Sequence, residues 1–281
     1  MGVRIVTDST ADLPAPVREA FGIEMVPLTV HFGPDSYKDG VDIDAAGFWR
    51  ILRSSPHHPR TAQPSPGDFL EVYRRLAEQG DEILSIHISG QLSGTIASAQ
   101  VAAGMLPEAR ITLLDTRSAS AGTGLVVLEA ARLAREGRSA AEILPRLQEI
   151  CSRMHVFFTL DTLEFLQRNG RIGKAQALLG SLLGVKPILQ VDREGVVAPL
   201  EKVRGKARVL PRTLQLMQER VPPGSRVRMA VLYAEAPDEA ARWLEAAREI
   251  YQVEAPLVCP IGPIIAAHAG PGTIGFAFYA V

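Results

Sequence analysis

Four segments rich in hydroxyl and small side chains hold most of the chemistry this sequence can offer. They are Thr7-Asp8-Ser9-Thr10, Thr61-Ala62-Gln63-Pro64-Ser65-Pro66, Ser89-Gly90-Gln91-Leu92-Ser93-Gly94-Thr95 and Asp115-Thr116-Arg117-Ser118-Ala119-Ser120. Such groups donate hydrogen bonds without carrying charge, which suits recognition of a small anionic group. Residues 89–95 follow a strand-like run and open a helix-like one, so their N–H groups and hydroxyls face an anion at a helix N-terminus. Equally, Ser and Gly there simply start the helix. A serine nucleophile on a strand-to-helix elbow needs G-x-S-x-G, whereas Gly90 and Gly94 flank Ser93 unequally. His268, between apolar residues 264–267 and the turn Gly270-Pro271-Gly272, reads as a core histidine or as a functional one. Asn169-Gly170-Arg171-Ile172-Gly173 reads as a glycine helix stop with an exposed arginine.

Other chemistries lack their residues. The six histidines form no H-E-x-x-H and offer only the adjacent pair His57-His58, so no metal site is expected. Cys151 and Cys259 lie far apart with no C-x-x-C, which signals neither zinc nor a disulfide framework and fits a reducing cytoplasm. Gly170-Arg171-Ile172-Gly173-Lys174-Ala175 and Gly205-Lys206-Ala207 lack the spacing and the Ser or Thr of a phosphate loop. No cofactor is expected, and a phosphate donor would have to be bound by another protein.

The elements that must position these residues follow from periodicity. In the first part, strand-like runs at 3–7, 23–32, 82–88 and 110–115 alternate with helix-like patterns at 15–21, 45–53, 67–79, 92–105, 122–135 and about 140–151. That order predicts a mainly parallel sheet, whose post-strand loops emerge along one edge and build a crevice there. The second part has strand-like runs at 154–159, 186–191, 196–204, 227–233, 253–259 and 273–279, with helices near 163–167, 175–183, 207–219 and 238–250. Some of its strands follow one another directly, as across Asp192-Arg193-Glu194-Gly195, so a mixed sheet with helices is expected. The fold class is therefore α/β in two α/β domains, residues 1–150 and 151–281, the first with a mainly parallel sheet and the second with a mixed one. The length of 281 residues agrees with about two domains.

Thirty Lys+Arg against thirty-one Asp+Glu leave a net charge of −1 and no bulk field for nucleic acid. The first residues contain no apolar secretion signal. Residues 255–281 carry no Asp, Glu, Lys or Arg, but four prolines and four glycines break any membrane-spanning helix into strand, short helix, loop and strand.

In order along nearly the whole chain, several segments resemble the DegV family of bacterial fatty-acid-binding proteins. These are Asp8-Ser9-Thr10-Ala11-Asp12-Leu13-Pro14, Thr61-Ala62-Gln63-Pro64-Ser65-Pro66, residues 89–95, Gly170-Arg171-Ile172, Gly184-Val185-Lys186-Pro187-Ile188-Leu189 and His268-Ala269-Gly270-Pro271-Gly272. Ala62 departs from the family, which often has serine there. The resemblance implies a long-chain fatty acid clamped between two α/β domains. Its carboxylate would be held by Thr61 and Ser93, with His268 and the backbone around Gly94 nearby and Arg171 close to the reacting end. It also implies a partner, since some members present the carboxyl to a separate ATP-dependent fatty acid kinase that makes an acyl phosphate. Membrane contact would be limited to transient lipid exchange. Phe157, Phe158, Leu178, Leu182, Ile188, Ile264 and Ile265 supply apolar surface for a tail or for plain core.

Two further readings remain open in the sequence. A serine hydrolase acting on acyl esters would use Ser93 with His268 as base, and a regulatory protein would keep only a vestigial pocket. Finally, Lys202, Arg204, Lys206 and Arg208 alternate with Val203, Gly205 and Ala207, so in an extended stretch their cationic ends share one face. That face reads as a charge-protected edge strand or as a surface docking an acidic region of the kinase.

Overall fold

The computed structural model describes residues 2–180 and 184–281. Strands β1 (Val3–Asp8), β2 (Glu24–Val26), β6 (Glu82–His87) and β7 (Ile111–Asp115) form a parallel sheet in the order β2-β1-β6-β7. Alternation places Val6 and Ile83 on one face, packed against Phe69, Tyr73 and Leu76 of α3 (Pro66–Glu78) and Ala99 and Ala102 of α4 (Thr95–Gly104). Ile5, Leu84 and Ile86 point the other way, toward α5 (Ala121–Arg135) and α6 (Ala140–Arg153). Local signals explain several helix starts. Ser65 and Asp68 close a capping box behind Pro66, and Ser139 and Glu142 do the same for α6.

The second sheet has six strands: β8 (His155–Thr159), β9 (Val185–Val191), β10 (Val197–Arg204), β11 (Arg226–Tyr233), β12 (Gln252–Pro260) and β13 (Ile274–Ala280). Their order is β10-β9-β8-β13-β11-β12, and only β11 and β12 pair in parallel. One face carries α8 (Val209–Gln218) and α9 (Pro237–Arg248), through Leu214, Met217, Trp243 and Leu244. The opposite face packs on α5 and α6, so these two helices form a layer shared by both sheets, and one apolar cluster runs from Ile5 to Tyr279. A division at 150/151 falls inside α6.

A third, antiparallel sheet was not legible in the sequence: β3 (Thr29–Phe32), β4 (Asp35–Lys38) and β5 (Arg60–Ala62), in the order β4-β3-β5. The expected strand 23–32 is two strands in different sheets, because Pro27 has no N–H for a ladder and the chain crosses over there. The expected helix at 175–183 is a 3-10 stretch, Gly173–Leu178, and Leu182 lies outside the described residues. The helix expected at 92–105 starts only at Thr95, and the one expected at 207–219 starts at Val209 behind a 3-10 turn, Lys206–Arg208. That turn corrects the cationic face. Gly205, at φ +82°, ends the extended stretch, so only Lys202 and Arg204 share a face of edge strand β10, and Lys206 turns away to pair with Glu239 at 3.1 Å. Both cysteines are free thiols. No helix among the described residues is long and apolar enough to cross a membrane.

Candidate binding cavity

A cavity of about 340 Å³ opens where the three sheets meet. This is within the range of small-molecule pockets, roughly 300–1,000 Å³. Its wall is mostly apolar, with Leu28, Ile88, Val156, Phe158, Leu232 and Ile264 from five different strands and helices or the loops beside them. Thr61, Gln63, Ser93, Arg171 and His268 add a polar group of side chains. Of the apolar residues singled out in the sequence, Phe158, Ile264 and Ile265 line the cavity. Phe157 and Ile188 pack on the other face of the six-stranded sheet, as strand alternation requires, and Leu178 belongs to the core.

Thr61 comes from β5 in the small antiparallel sheet, not from the edge of the parallel sheet. His268 comes from α10 (Pro263–Ala269), and its Nε2 lies 2.9 Å from Thr61 Oγ1. Burial, with Arg171 and His58 nearby, pushes the His268 ring down to about 3, so it is neutral at physiological pH. Its Nδ1 is buried and has no partner among the described residues. Ser93 sits ahead of α4, whose start has no side-chain cap. Its hydroxyl lies 2.7 Å from Thr95 Oγ1 and accepts from the Thr95 N–H at 3.3 Å. Gly94 is not in the cavity wall, and a Cβ there would collide with the Gln63 amide, which donates to Ser98 at 3.0 Å. The missing side chain thus lets Gln63 lie across the helix start and tie β5 to α4.

Arg171 reaches the cavity with its guanidinium held by the carbonyls of Leu92 at 3.0 Å and Asn169 at 2.8 Å, and with no carboxylate partner among the described residues. A guanidinium without a carboxylate partner can form charge-assisted hydrogen bonds to an anion. The pairings a serine hydrolase needs are absent among the described residues. Ser93 bonds Thr95 and not His268, while no acid orients His268 Nδ1.

Two features escaped the sequence. Asn169 Nδ2 donates to the Ala267 carbonyl at 2.8 Å and lies 3.1 Å from His58 Nε2, joining the helix stop to α10 and to the approach to β5. Beneath the cavity, Asp8 accepts from the Thr10 backbone at 3.0 Å and lies 2.9 Å from His87 Nδ1. The chain of contacts continues from His87 to Ser85 and from Ser85 to Tyr73, each at 2.7 Å, all fully buried. Asp12 in turn accepts from Ser120 and from the Gly262 N–H at 2.9 Å, fixing the start of α10 and with it His268. The first hydroxyl-rich segment is therefore mostly scaffold. Thr10 alone of that segment lines the cavity. Asp8 and His87 are 79 residues apart, so no local spacing signals their contact.

The family model described as "Uncharacterised protein, DegV family" matches residues 2–281. A DegV domain-containing protein of Deinococcus radiodurans is 40% identical over 277 residues, covering 99% of this chain and 98% of that protein. Among solved structures, a DegV family protein from Thermus thermophilus, described by its fatty acid binding, superposes with a TM-score of 0.92 at 40% identity over the full length of both chains. DegV from Bacillus subtilis, described as a fatty acid binding protein, gives 0.90 at 34% identity over the same full coverage. With the family pattern matched from end to end, this chain belongs to the DegV family.

Proposed function

We propose that this chain binds a long-chain fatty acid, with the tail along the apolar wall and the carboxylate at Thr61 and Ser93, beside His268 and Arg171. The carrying observation is the Thr61–His268 contact of 2.9 Å at a mostly apolar cavity that also receives Arg171, which has no carboxylate partner among the described residues. A neutral ring that donates from Nε2 to Thr61 leaves the threonine's own proton free for a carboxylate oxygen. The fatty acid binding described for the Thermus thermophilus and Bacillus subtilis proteins supports the same reading.

Magnitudes divide the work. A tail of about fourteen methylenes at about 0.8 kcal/mol each contributes on the order of 11 kcal/mol before ordering costs. Each charge-assisted hydrogen bond adds about 1.5–3 kcal/mol, part of which only offsets desolvation. The tail supplies affinity and the polar end supplies orientation. Native mass spectrometry of protein purified from a bacterial host is expected to show co-purifying acyl chains. Delipidated protein that gives no heat with palmitate or oleate would overturn the reading.

The finer part of the proposal is that the chain presents the carboxyl to a separate ATP-dependent kinase. A carboxylate oxygen would attack the terminal phosphorus of ATP, giving acyl phosphate and ADP. The missing phosphate loop supports this division of labour, and the chain itself then acts as a binding protein without a cofactor. Lys202 and Arg204 on β10, with Lys206 displaced onto the following turn, are the candidate docking cations. Arg204→Glu is expected to slow acyl-phosphate formation and weaken its salt dependence with palmitate affinity unchanged. Equal transfer rates over a range of salt would remove the patch from the proposal.

A further inference from the structure

A second cavity, of about 420 Å³, lies between the six-stranded sheet and the helices α8 and α9. It is separate from the first. Along β8, Val156 and Phe158 face the first cavity, so Thr159 faces the opposite side with Phe157, and it lines the second cavity beside its pairing partner Ile274. Thr159 is 7% exposed, and its Oγ1 is buried without a hydrogen-bond partner among the described residues. Buried hydroxyls are nearly always satisfied, so an orphan at a cavity wall marks a place for a polar atom that comes from outside.

The cations around it point to the charge of that atom. Lys186 and Lys206 line the cavity and pair with Asp161 at 2.6 Å and Glu239 at 3.1 Å. Arg242, on α9, lines it as well and makes no hydrogen bond or ion pair among the described residues. Three cations against two carboxylates leave one positive charge in excess. The 3-10 turn Lys206–Arg208 that leads into α8 adds backbone donors, with no side-chain cap and no acidic residue in the first turn of α8. The rest of the wall is apolar and aromatic, with Val209, Leu210 and Trp243.

We propose that this cavity is a second ligand site, for a phosphate monoester with a small apolar or aromatic group. The phosphate oxygens meet Lys186, Lys206, Arg242 and the Thr159 hydroxyl, which approach from different elements as a tetrahedral anion requires. The organic group lies on Val209, Leu210 and Trp243. Nothing in this site depends on the fatty-acid cavity.

Phenyl phosphate serves as the probe, titrated by calorimetry and by tryptophan fluorescence into protein presaturated with palmitate. One saturable site is expected, with inorganic phosphate binding much more weakly because it leaves the apolar wall uncovered. Arg242→Ala is expected to weaken phenyl phosphate about tenfold and the near-isosteric Thr159→Val a few-fold, with palmitate affinity unchanged in both. Arg242 is exposed, so its variant keeps the fold. Absence of saturable binding, or equal affinity in the wild type and both variants, would overturn the proposal. Binding that appears only without palmitate would also overturn it, since the probe would then occupy the first cavity.

Discussion

At the scale of single residues, the proposed fatty-acid site separates holding a ligand from aiming it. Thr61 lines the cavity with its hydroxyl 2.9 Å from His268 Nε2. Thr61→Val keeps the shape of the side chain and removes the proton that a carboxylate would accept. Palmitate affinity is expected to fall by about tenfold, because part of the roughly 1.5–3 kcal/mol of one such bond only offsets desolvation. Acyl-phosphate formation with a suitable kinase is expected to fall much further, because a tail-held carboxylate loses its orientation. Calorimetry and a transfer assay on the same variant check the split, and outright loss of palmitate binding in a folded variant would contradict it.

At the scale of elements, the cavity depends on contacts between segments that are distant in the chain. The hairpin joining β9 to β10 reaches back to the loop after β6, where Ser89 Oγ donates to the Gly195 carbonyl at 2.8 Å. Gly195 has φ +80°, and a Cβ there would run into the Ser89 side chain. Gly195→Ala must both strain the backbone and push the hairpin away, with the cavity residues Val191 and Val197 on it. A loss of roughly 1–3 kcal/mol in urea unfolding is expected, together with weaker palmitate binding. An unchanged urea midpoint would show that the hairpin contact does not support the cavity.

At the scale of the whole molecule, buried ionisable groups give the fold a pH dependence with a definite sign. Asp39 is almost fully buried, and burial with Asp8 nearby raises its carboxyl to about 7, while Ser9 and Arg18 partly offset this. Asp12, which faces it across Gly262, is also raised well above the ordinary carboxylate value, chiefly by burial. The folded chain therefore holds a proton on Asp39 that the unfolded chain has released above about pH 4. Its contribution to stability is fully present below that pH and is lost as pH rises through about 7. Asp39→Asn is expected to be more stable relative to wild type at pH 8 than at pH 4.5, by an amount on the order of a few kcal/mol. Parallel urea titrations check the sign, and a pH-independent difference would contradict it. His268 and His155, lowered by burial to about 3 and about 4, act oppositely, favouring the fold less as pH falls below the ordinary histidine range.

The sequence by itself determined the α/β order, most strand and helix positions, the break-up of the apolar C-terminal stretch and the residue types available to hold an anion. These follow from local periodicity and from proline, glycine and capping residues, whose effects span a few positions. Tertiary structure alone decided that Thr61 meets His268 across 207 residues, that Asn169 braces α10 and that Ser93 bonds Thr95 instead of a base. It also decided that α5 and α6 serve both sheets, since the pattern of α5 only says that it is buried on most sides and does not name the sheets that bury it. The three-stranded sheet was hidden for a different reason. Strands of three or four residues, such as β5 and β4, are too short to show a period, and long-range pairing stabilises them where local preference does not.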